Sequence, residues 1–106
     1  MAEFLYRLQA TRPAMLTEGL TPEERTAVTA HVAYLERLAT AGVVLLFGRT
    51  QTSDEKTFGI VILRAGSPAE AERVMADDPT VQARVMRAEL FPFRIAGMSP
   101  SLAVPA

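Results

Sequence analysis

The clearest pattern of hydrophobic and polar positions lies in residues 21–42, TPEERTAVTAHVAYLERLATAG. Apolar side chains recur there at intervals of three and four, which predicts an amphipathic helix with one stripe facing a core. The stripe consists of Val28, Val32, Leu35, Leu38 and Ala39. Thr21, Pro22 and Glu24 form a helix-start signal with a capping box. Gly42 suits the positive φ that often follows the end of a helix.

Four other segments have the hydrophobic pattern of strands. Residues 3–10 alternate between apolar and polar side chains, whereas residues 43–47 and 57–64 are apolar on both faces. The polar turn between the latter two predicts a hairpin. Residues 85–95 form the last predicted strand, in which Pro92 indicates an edge position or a bulge.

A second helix is predicted from residue 67 to about residue 76. The segment Ser67-Pro68-Ala69-Glu70 repeats the start signal of the first helix. The segment Asp77-Asp78-Pro79 ends this helix, because a residue before proline avoids the α region. Asp78 is then suited to cap a further short turn over residues 79–83.

The predicted order β-α-β-β-α-β is that of a ferredoxin-like α+β fold, with a four-stranded antiparallel sheet and two helices on one face. We expect one domain over residues 1–96. Residues 97–106 are predicted to form a loose tail or an arm that lies on a partner. Residues 11–20 are predicted to be a loop, and a loop of that length is often functional.

The two middle strands predict an interface. Their apolar side chains point to both faces, and leaving several of them in water would cost on the order of several kcal/mol. A second copy packed sheet against sheet is the simplest cover, so we expect a homodimer. The alternative is a monomer whose tail folds over the sheet.

Composition excludes several classes of function. The formal net charge is −1 and there is no Lys/Arg run, which argues against nucleic-acid and membrane-surface partners. The absence of cysteine excludes disulfides and thiolate sites, and a single histidine disfavours zinc. No apolar run approaches the roughly 20 residues of a membrane span, and no signal peptide is recognisable. We therefore expect a cytoplasmic protein that uses no metal and no cofactor.

The single histidine, His31, lies on the apolar stripe of the first predicted helix. Such a ring is either a core residue with a satisfied hydrogen bond or a functional group. Neutral imidazole can accept a proton, and a carboxylate on the other ring nitrogen fixes its tautomer and stabilises the imidazolium. His31 is thus the first candidate for catalysis.

Several short motifs follow one another along the chain. They are Thr11-Arg12-Pro13, His31-x-x-Tyr34-Leu35, Ala41-Gly42, Phe47-Gly48, Thr57-x-Gly59-Ile60, Ser67-x-x-Glu70-Ala71 and Asp78-Pro79. In this order and spacing they resemble the YCII-related (YciI-like) family of dimeric α+β barrel proteins, over about residues 3–95. The resemblance implies a pocket with a His–Asp dyad, proposed as catalytic in a family whose reactions are mostly unassigned. Carried over by position, the dyad is His31 and Asp78.

The assignment of Asp78 has two alternatives. N-capping before Pro79 explains an aspartate here without catalysis, although a carboxylate has two oxygens and can serve both purposes. Asp77 is the rival partner for His31. The sequence also departs from the family pattern at Arg49, where many members have proline, and at Arg84, where a glycine is frequent. Both arginines are expected near the pocket, where they favour an anionic ligand.

Three further residues are candidates for binding a substrate. Arg12 lies in a loop beside the N-terminal end of the first helix, where anions are favoured. Arg49 near the expected pocket also favours an anionic ligand. Tyr34 is either packing at the pocket rim or a hydroxyl donor to a substrate oxygen.

Three hypotheses follow. The first is a small cofactor-independent enzyme of the lyase or isomerase type, in which His31 transfers a proton on a small organic acid, Asp78 orients His31 and Arg12 clamps an anion. The alternative is a non-catalytic homodimer that binds or senses a small molecule. A cofactor-free monooxygenase is a third option, which the lack of tryptophan slightly disfavours.

Overall fold

The computed structural model of the protein describes residues 1–102, which form a four-stranded antiparallel sheet and helices. The strands lie in the order β2-β3-β1-β4, as the ferredoxin-like prediction requires. The strands are β1 (Ala2–Ala10), β2 (Val44–Arg49), β3 (Gly59–Ala65) and β4 (Met86–Phe93). The helices are α1 (Ala14–Thr17), α2 (Pro22–Thr40), α3 (Pro68–Ala76) and α4 (Pro79–Gln82).

Helix α2 begins and ends where its sequence signals predict. The Thr21 hydroxyl accepts a hydrogen bond from the Glu24 amide at 3.1 Å, and Glu24 Oε1 accepts one from the Thr21 amide at 2.8 Å. These two bonds are the predicted capping box. Gly42 follows the helix with a φ of 79°, which glycine adopts without strain.

The core lies between the helices and one face of the sheet. Alternate residues of β1, namely Phe4, Tyr6 and Leu8, are buried on this face. Leu35 of α2 is fully buried in the same cluster. Burying one such side chain contributes about 1.5–3 kcal/mol, so this face holds the domain together. It also fixes Tyr6 between Val61 of β3 and Leu90 of β4.

The predicted loop over residues 11–20 is wrong in part, because it contains helix α1. Met15 of α1 is buried in a small second cluster with Ala27 and Val85. Leu16 and Leu20 pack against this cluster. The segment therefore folds by tertiary packing, which stabilises a single helical turn that no sequence period reveals.

Three strand boundaries also differ from the prediction. Strand β2 continues to Arg49 because the ladder with β3 continues to the pair Arg49 and Gly59. Strand β3 begins at Gly59, since the hydroxyl of Thr57 bonds that of Thr52 in the preceding turn, at 2.7 Å. Strand β4 ends at Phe93, opposite Glu3 near the start of β1. The edge position predicted from Pro92 is confirmed, because β4 pairs with β1 alone among the described strands.

The face of the sheet away from the helices, here called the open face, is largely apolar. By the alternation of side chains along each strand, it carries Leu5, Leu46, Ile60, Ile62, Phe91 and Phe93. Arg7 and Glu89 form an ion pair on it at 2.8 Å. Phe91 and Phe93 are 37% and 39% exposed.

The described part of the tail leaves this face uncovered. Residues 94–102 form no helix or strand, and Met98 and Leu102 are 64% and 57% exposed. Their apolar side chains are therefore not buried against the sheet. The rest of the predicted tail, residues 103–106, lies outside the described residues.

No helix within residues 1–102 is both long enough and apolar enough to cross a membrane. The cytoplasmic location stays a prediction.

Candidate active site

His31 of α2 and Asp78 at the start of α4 meet at one end of the helical layer. Nδ1 of His31 lies 2.8 Å from Oδ1 and 2.9 Å from Oδ2 of Asp78. Asp78 is 0% exposed and the His31 side chain is 16% exposed. The rival Asp77 is exposed and forms the C-cap of α3. The carboxylate next to His31 is therefore that of Asp78.

The Asp78 carboxylate accepts three more hydrogen bonds. The Thr80 amide and hydroxyl donate to Oδ1 at 3.0 and 2.7 Å. The Tyr6 hydroxyl donates to Oδ2 at 2.8 Å. Asp78 thus caps helix α4 and contacts His31 with one and the same carboxylate.

These bonds decide the charge of Asp78. Burial alone would raise its pKa, but hydrogen bonds from His31 and Thr80 outweigh burial and hold the pKa below its ordinary value. Burial first, and the Asp78 carboxylate second, raise the pKa of Tyr6 far above its ordinary value. At neutral pH Asp78 is therefore an ionised acceptor and Tyr6 a protonated donor. Because an ionised carboxylate can only accept, its contact with Nδ1 of His31 is a hydrogen bond when Nδ1 carries the hydrogen, and in that tautomer the lone pair is on Nε2.

A cavity of about 410 Å³ opens beside His31, between the sheet and helices α1 and α2. This volume is within the range of about 300–1,000 Å³ that is usual for small-molecule sites. Among the described residues that line it, His31, Arg49 and Thr57 are polar. The other described residues that line the cavity are apolar residues or glycines: Leu8, Ala10, Met15, Leu16, Leu20, Val28, Val32, Leu35, Phe47, Gly48, Phe58, Gly59, Ile60, Val61 and Met86.

The second ring nitrogen of His31 is available to a bound molecule. Within residues 1–102 the hydrogen bonds of the ring all involve Nδ1. No buried side-chain nitrogen or oxygen in that part of the chain lacks a partner, so Nε2 is accessible rather than sealed. Since Nδ1 faces Asp78, Nε2 is the ring atom that can meet a ligand in the cavity.

Arg49 lies at the end of β2, is exposed, and lines the cavity. In the described part of the chain, the ion pairs are made by Arg7, Arg12 and His31, and none involves Arg49. Its guanidinium is thus a positive charge at the cavity without an internal carboxylate partner among these residues.

Arg12 has a partner inside the protein. Its Nε and Nη2 donate to Oε2 and Oε1 of Glu24 at 2.9 and 2.7 Å, and Nη2 also donates to the Gly19 carbonyl at 2.9 Å. The hydrogen bond from Arg12, followed by that of the Thr21 amide, lowers the pKa of Glu24 to about 2. This fork ties the α1 segment to the first turn of α2. The geometry therefore gives Arg12 a structural partner within the protein, and anion binding by Arg12 stays a prediction.

Tyr34 lies away from the cavity, contrary to the position expected at its rim. Its hydroxyl donates to the Val74 carbonyl at 2.8 Å, which joins α2 to α3. Burial first, then the charges of Asp77 and Asp78, raise its pKa to about 12. Tyr34 is not among the described residues that line the cavity. A hydroxyl held between two helices is an unsuitable donor to a ligand there.

Comparison with known sequences and structures decides the family. The sequence profile of the YCII-related domain matches residues 4–94. The chain belongs to the YCII-related family. This confirms the resemblance that the motifs indicated. A sequence search among curated proteins finds no significant match.

Several solved structures resemble this YCII-related domain, among them the following two. One is 5-chloro-2-hydroxyhydroquinone dehydrochlorinase from Burkholderia phenoliruptrix in complex with 2,5-dihydroxybenzoquinone, with a TM-score of 0.61 and 22% identity over 86% of this chain and 93% of that one. The other is SnoaB, a cofactor-independent oxygenase from Streptomyces nogalater, with a TM-score of 0.51 and 15% identity over 95% and 100% of the two chains. At these identities the likeness establishes a shared fold.

Arg84 has an unusual backbone conformation. Its φ is 58°, in the left-handed region where glycine is favoured, which agrees with the glycine that the resemblance led us to expect at this position. The carbonyl of Arg84 accepts a hydrogen bond from the Thr11 hydroxyl at 2.7 Å. Arg84 is not one of the described residues at the cavity, so it does not add the second positive charge that the sequence suggested.

Sequence reasoning missed Tyr6 and Thr80. Tyr6 occupies a core position of β1, and a buried tyrosine hydroxyl needs a partner, which was the available signal. Thr80 stands two residues after an aspartate cap, where its amide is one of the unpaired donors of a helix start. Within residues 1–102 no three His, Asp or Glu side chains are grouped so as to hold a metal ion.

Proposed function

We propose that this YCII-related domain is a small enzyme of the lyase or isomerase type that transfers protons on an organic anion bound in the cavity. His31 acts as general base and then as general acid. One observation carries the proposal: a buried, ionised Asp78 lies on Nδ1 of a histidine whose Nε2 is accessible beside an apolar cavity. This is the arrangement that general acid–base catalysis by imidazole requires.

The proposed reaction starts at a carbon next to a carbonyl. Nε2 takes the proton, the C–H bond breaks, and its electron pair moves to the carbonyl oxygen as an enolate. Asp78 stabilises the imidazolium that forms. Where the substrate has a C=C bond conjugated with the enolate, the imidazolium returns the proton at the far carbon of that bond and the double bond shifts, which is an isomerisation. Alternatively the enolate expels a leaving group with its electron pair, which is an elimination.

Arg49 supplies the charge that the enolate needs. Arg49 lines the same cavity as His31, and its planar guanidinium has donors that match the geometry of a carboxylate. The apolar lining of the cavity strengthens the attraction between this cation and a developing anion. Arg49 therefore binds either the acid group of the substrate or the oxygen on which charge develops.

The two structural neighbours support this class of substrate. The name of one describes removal of HCl from a hydroxylated ring, and its structure holds a dihydroxybenzoquinone. The other is named as an oxygenase that is independent of cofactors. Small cyclic compounds and cofactor-free chemistry are thus compatible with the fold, and we extend both to this protein as part of the proposal.

The test is hydrogen exchange on enolisable ring acids in D₂O, with 3-oxocyclohexanecarboxylate and 4-oxocyclohexanecarboxylate as probes. Proton abstraction by Nε2 incorporates deuterium even when no net reaction follows. We expect His31→Gln to lower the enzyme-dependent rate by about a hundredfold or more while the probe still binds. Binding of these probes by the wild-type protein with no exchange above the His31→Gln level would overturn the proposal and favour the non-catalytic binding protein.

We also propose that a second copy of the chain covers the open face. Phe91 and Phe93 are more than a third exposed on that face and Leu5, Leu46 and Ile60 are partly exposed, and a contiguous apolar patch on a monomer is often an interaction site. A two-fold axis would place the same face of each copy against the other. A hollow on this face shares Gly48, Arg49, Phe58 and Ile60 with the cavity, so the partner would border the cavity mouth.

A further inference from the structure

The buried hydroxyl of Tyr6 is a polar group that the proposed reaction does not use. Tyr6 is fully buried in the sheet face of the core, where phenylalanine would fill the same space without needing a partner. Its hydroxyl reaches Oδ2 of Asp78, 72 positions away in sequence, at 2.8 Å. The oxygen of Tyr6 is thus placed in the core specifically at the carboxylate that contacts His31.

The donors around Asp78 divide its two oxygens between them. Thr80 donates twice to Oδ1 from the first turn of α4, and Tyr6 donates to Oδ2 from strand β1. Both donors belong to regular secondary structure, so the carboxylate cannot rotate without losing a bond. Nδ1 of His31 lies almost equally far from the two oxygens, at 2.8 and 2.9 Å. The imidazole therefore faces the middle of a carboxylate that is held from both sides.

We infer that Tyr6 is a positioning residue for His31: by holding Oδ2 of Asp78 from the core side, it keeps the carboxylate facing Nδ1, so that Nε2 is presented to the cavity. Tyr6 does not line the cavity, within the residues described, and keeps its proton throughout. It acts on the reaction through Asp78 and His31. The catalytic meaning of this role rests on the proposed function, whereas its structural part does not.

The chain suits a direct test because it contains one histidine and two tyrosines. With histidine labelled by ¹⁵N in the ring, the spectrum reports His31 alone. Tyr6→Phe removes the hydroxyl on Asp78, and Tyr34→Phe is the matched control, because it removes a hydroxyl that bonds the Val74 carbonyl. The readout is the exchange rate of the Nδ1 hydrogen of His31 with water. Between variants that have the same free energy of unfolding, a loss of packing elsewhere in the protein does not change this rate.

We expect Tyr6→Phe to raise the Nδ1 exchange rate about tenfold or more relative to wild type, since one charge-assisted bond of the clamp is lost. Tyr34→Phe is expected to leave it within about twofold. Equal rates in wild type and a folded Tyr6→Phe, or equal increases in both variants, would overturn the inference. Neither outcome depends on finding a substrate, so a failure of the proposed function stays distinguishable.

A second measurement covers the case in which Tyr6→Phe does not fold. With tyrosine labelled by ¹³C at Cζ, the two signals belong to Tyr6 and Tyr34. Replacing Asp78 by Asn removes the charged acceptor of the Tyr6 hydroxyl, so we expect the Tyr6 signal to shift by several times more than the Tyr34 signal, because Tyr34 feels the charge of Asp78 but has no hydrogen bond to it. An unchanged Tyr6 signal would contradict the coupling between its hydroxyl and Asp78.

Discussion

Nδ1 of His31 lies within 2.9 Å of both carboxylate oxygens of Asp78, although the two residues are 47 positions apart in sequence. The same carboxylate caps helix α4 through the Thr80 amide. The start of a four-residue helix thus fixes half of the candidate dyad. This double use couples the stability of the fold to the chemistry proposed for the site.

Asp78→Asn is expected to destabilise the protein by about 1–3 kcal/mol. Asparagine is a good N-cap, so the cost comes from replacing a charged acceptor by a neutral amide whose NH₂ group meets buried donors. Asp77→Asn is the matched control next to it, on an exposed side chain, and we expect it to change stability by less than about 0.5 kcal/mol. Urea unfolding measures both. Similar losses in the two variants would argue against a special role of the Asp78 charge.

The contribution of Asp78 to stability is expected to depend on pH. Because its pKa is lowered in the folded protein, the unfolded chain, with a pKa of about 3.9, binds the proton more tightly. The contribution is therefore fully present above about pH 5 and is lost as the pH falls through the unfolded and then the folded pKa. The free energies of unfolding of wild type and Asp78→Asn should converge between about pH 5 and pH 3. A constant difference over that range would contradict the prediction. Glu24 titrates in both proteins, so its contribution cancels in the difference between their free energies of unfolding.

Local signals in the sequence predicted the fold well, and the site only in part. The signals that start and end α2 are each local: Thr21 pairs with Glu24 in the first turn, and Gly42 follows the last turn. The bounds of α2 could therefore be predicted from spacing. The bond from Tyr6 to Asp78 spans 72 positions and depends on how β1 and α4 come together, which no spacing encodes. Arg12 was predicted to bind an anion because its loop lies beside the N-terminal end of α2. Its pairing with Glu24, 12 positions away, requires this loop to fold back on α2, which the spacing of residues did not reveal.

Arg12→Gln is expected to loosen the α1 segment rather than to abolish anion binding. The fork to Glu24 and the bond to Gly19 hold residues 12–19 against α2, and Met15 and Leu16 of that segment line the cavity. Amide hydrogen exchange in residues 14–18 should accelerate about tenfold, since protection there reflects local opening. Arg25→Gln, a change of an exposed arginine in the next turn, serves as the control. Unchanged protection in Arg12→Gln would show that apolar packing alone holds the segment.

Arg49→Gln is expected to weaken anionic ligands selectively. The probes are 1-anilinonaphthalene-8-sulfonate and its uncharged counterpart N-phenyl-1-naphthylamine, which share an apolar body. We expect about a tenfold loss of affinity for the sulfonate, because a charge pair in an apolar site is weakly screened, and little change for the neutral compound. Arg12→Gln should leave the ratio of the two affinities unchanged. A loss of selectivity in Arg12→Gln but not in Arg49→Gln would reassign the anion contact to Arg12.

Phe91→Glu is expected to separate a dimer into monomers. Phe91 lies on the open face opposite Leu5, with Arg7 6.0 Å from its ring centre, so in the proposed dimer a charge there would be buried against the partner. Ala33→Glu, on the exposed side of α2, adds the same charge away from that face. Sedimentation velocity should find wild type and Ala33→Glu as dimers and Phe91→Glu as a monomer at micromolar concentration. Because the hollow on the open face shares Arg49 and Ile60 with the cavity, the monomeric variant should also bind the sulfonate probe more weakly. A wild-type monomer would refute the dimer, and undiminished probe binding by a monomeric variant would show that the cavity is complete within one chain.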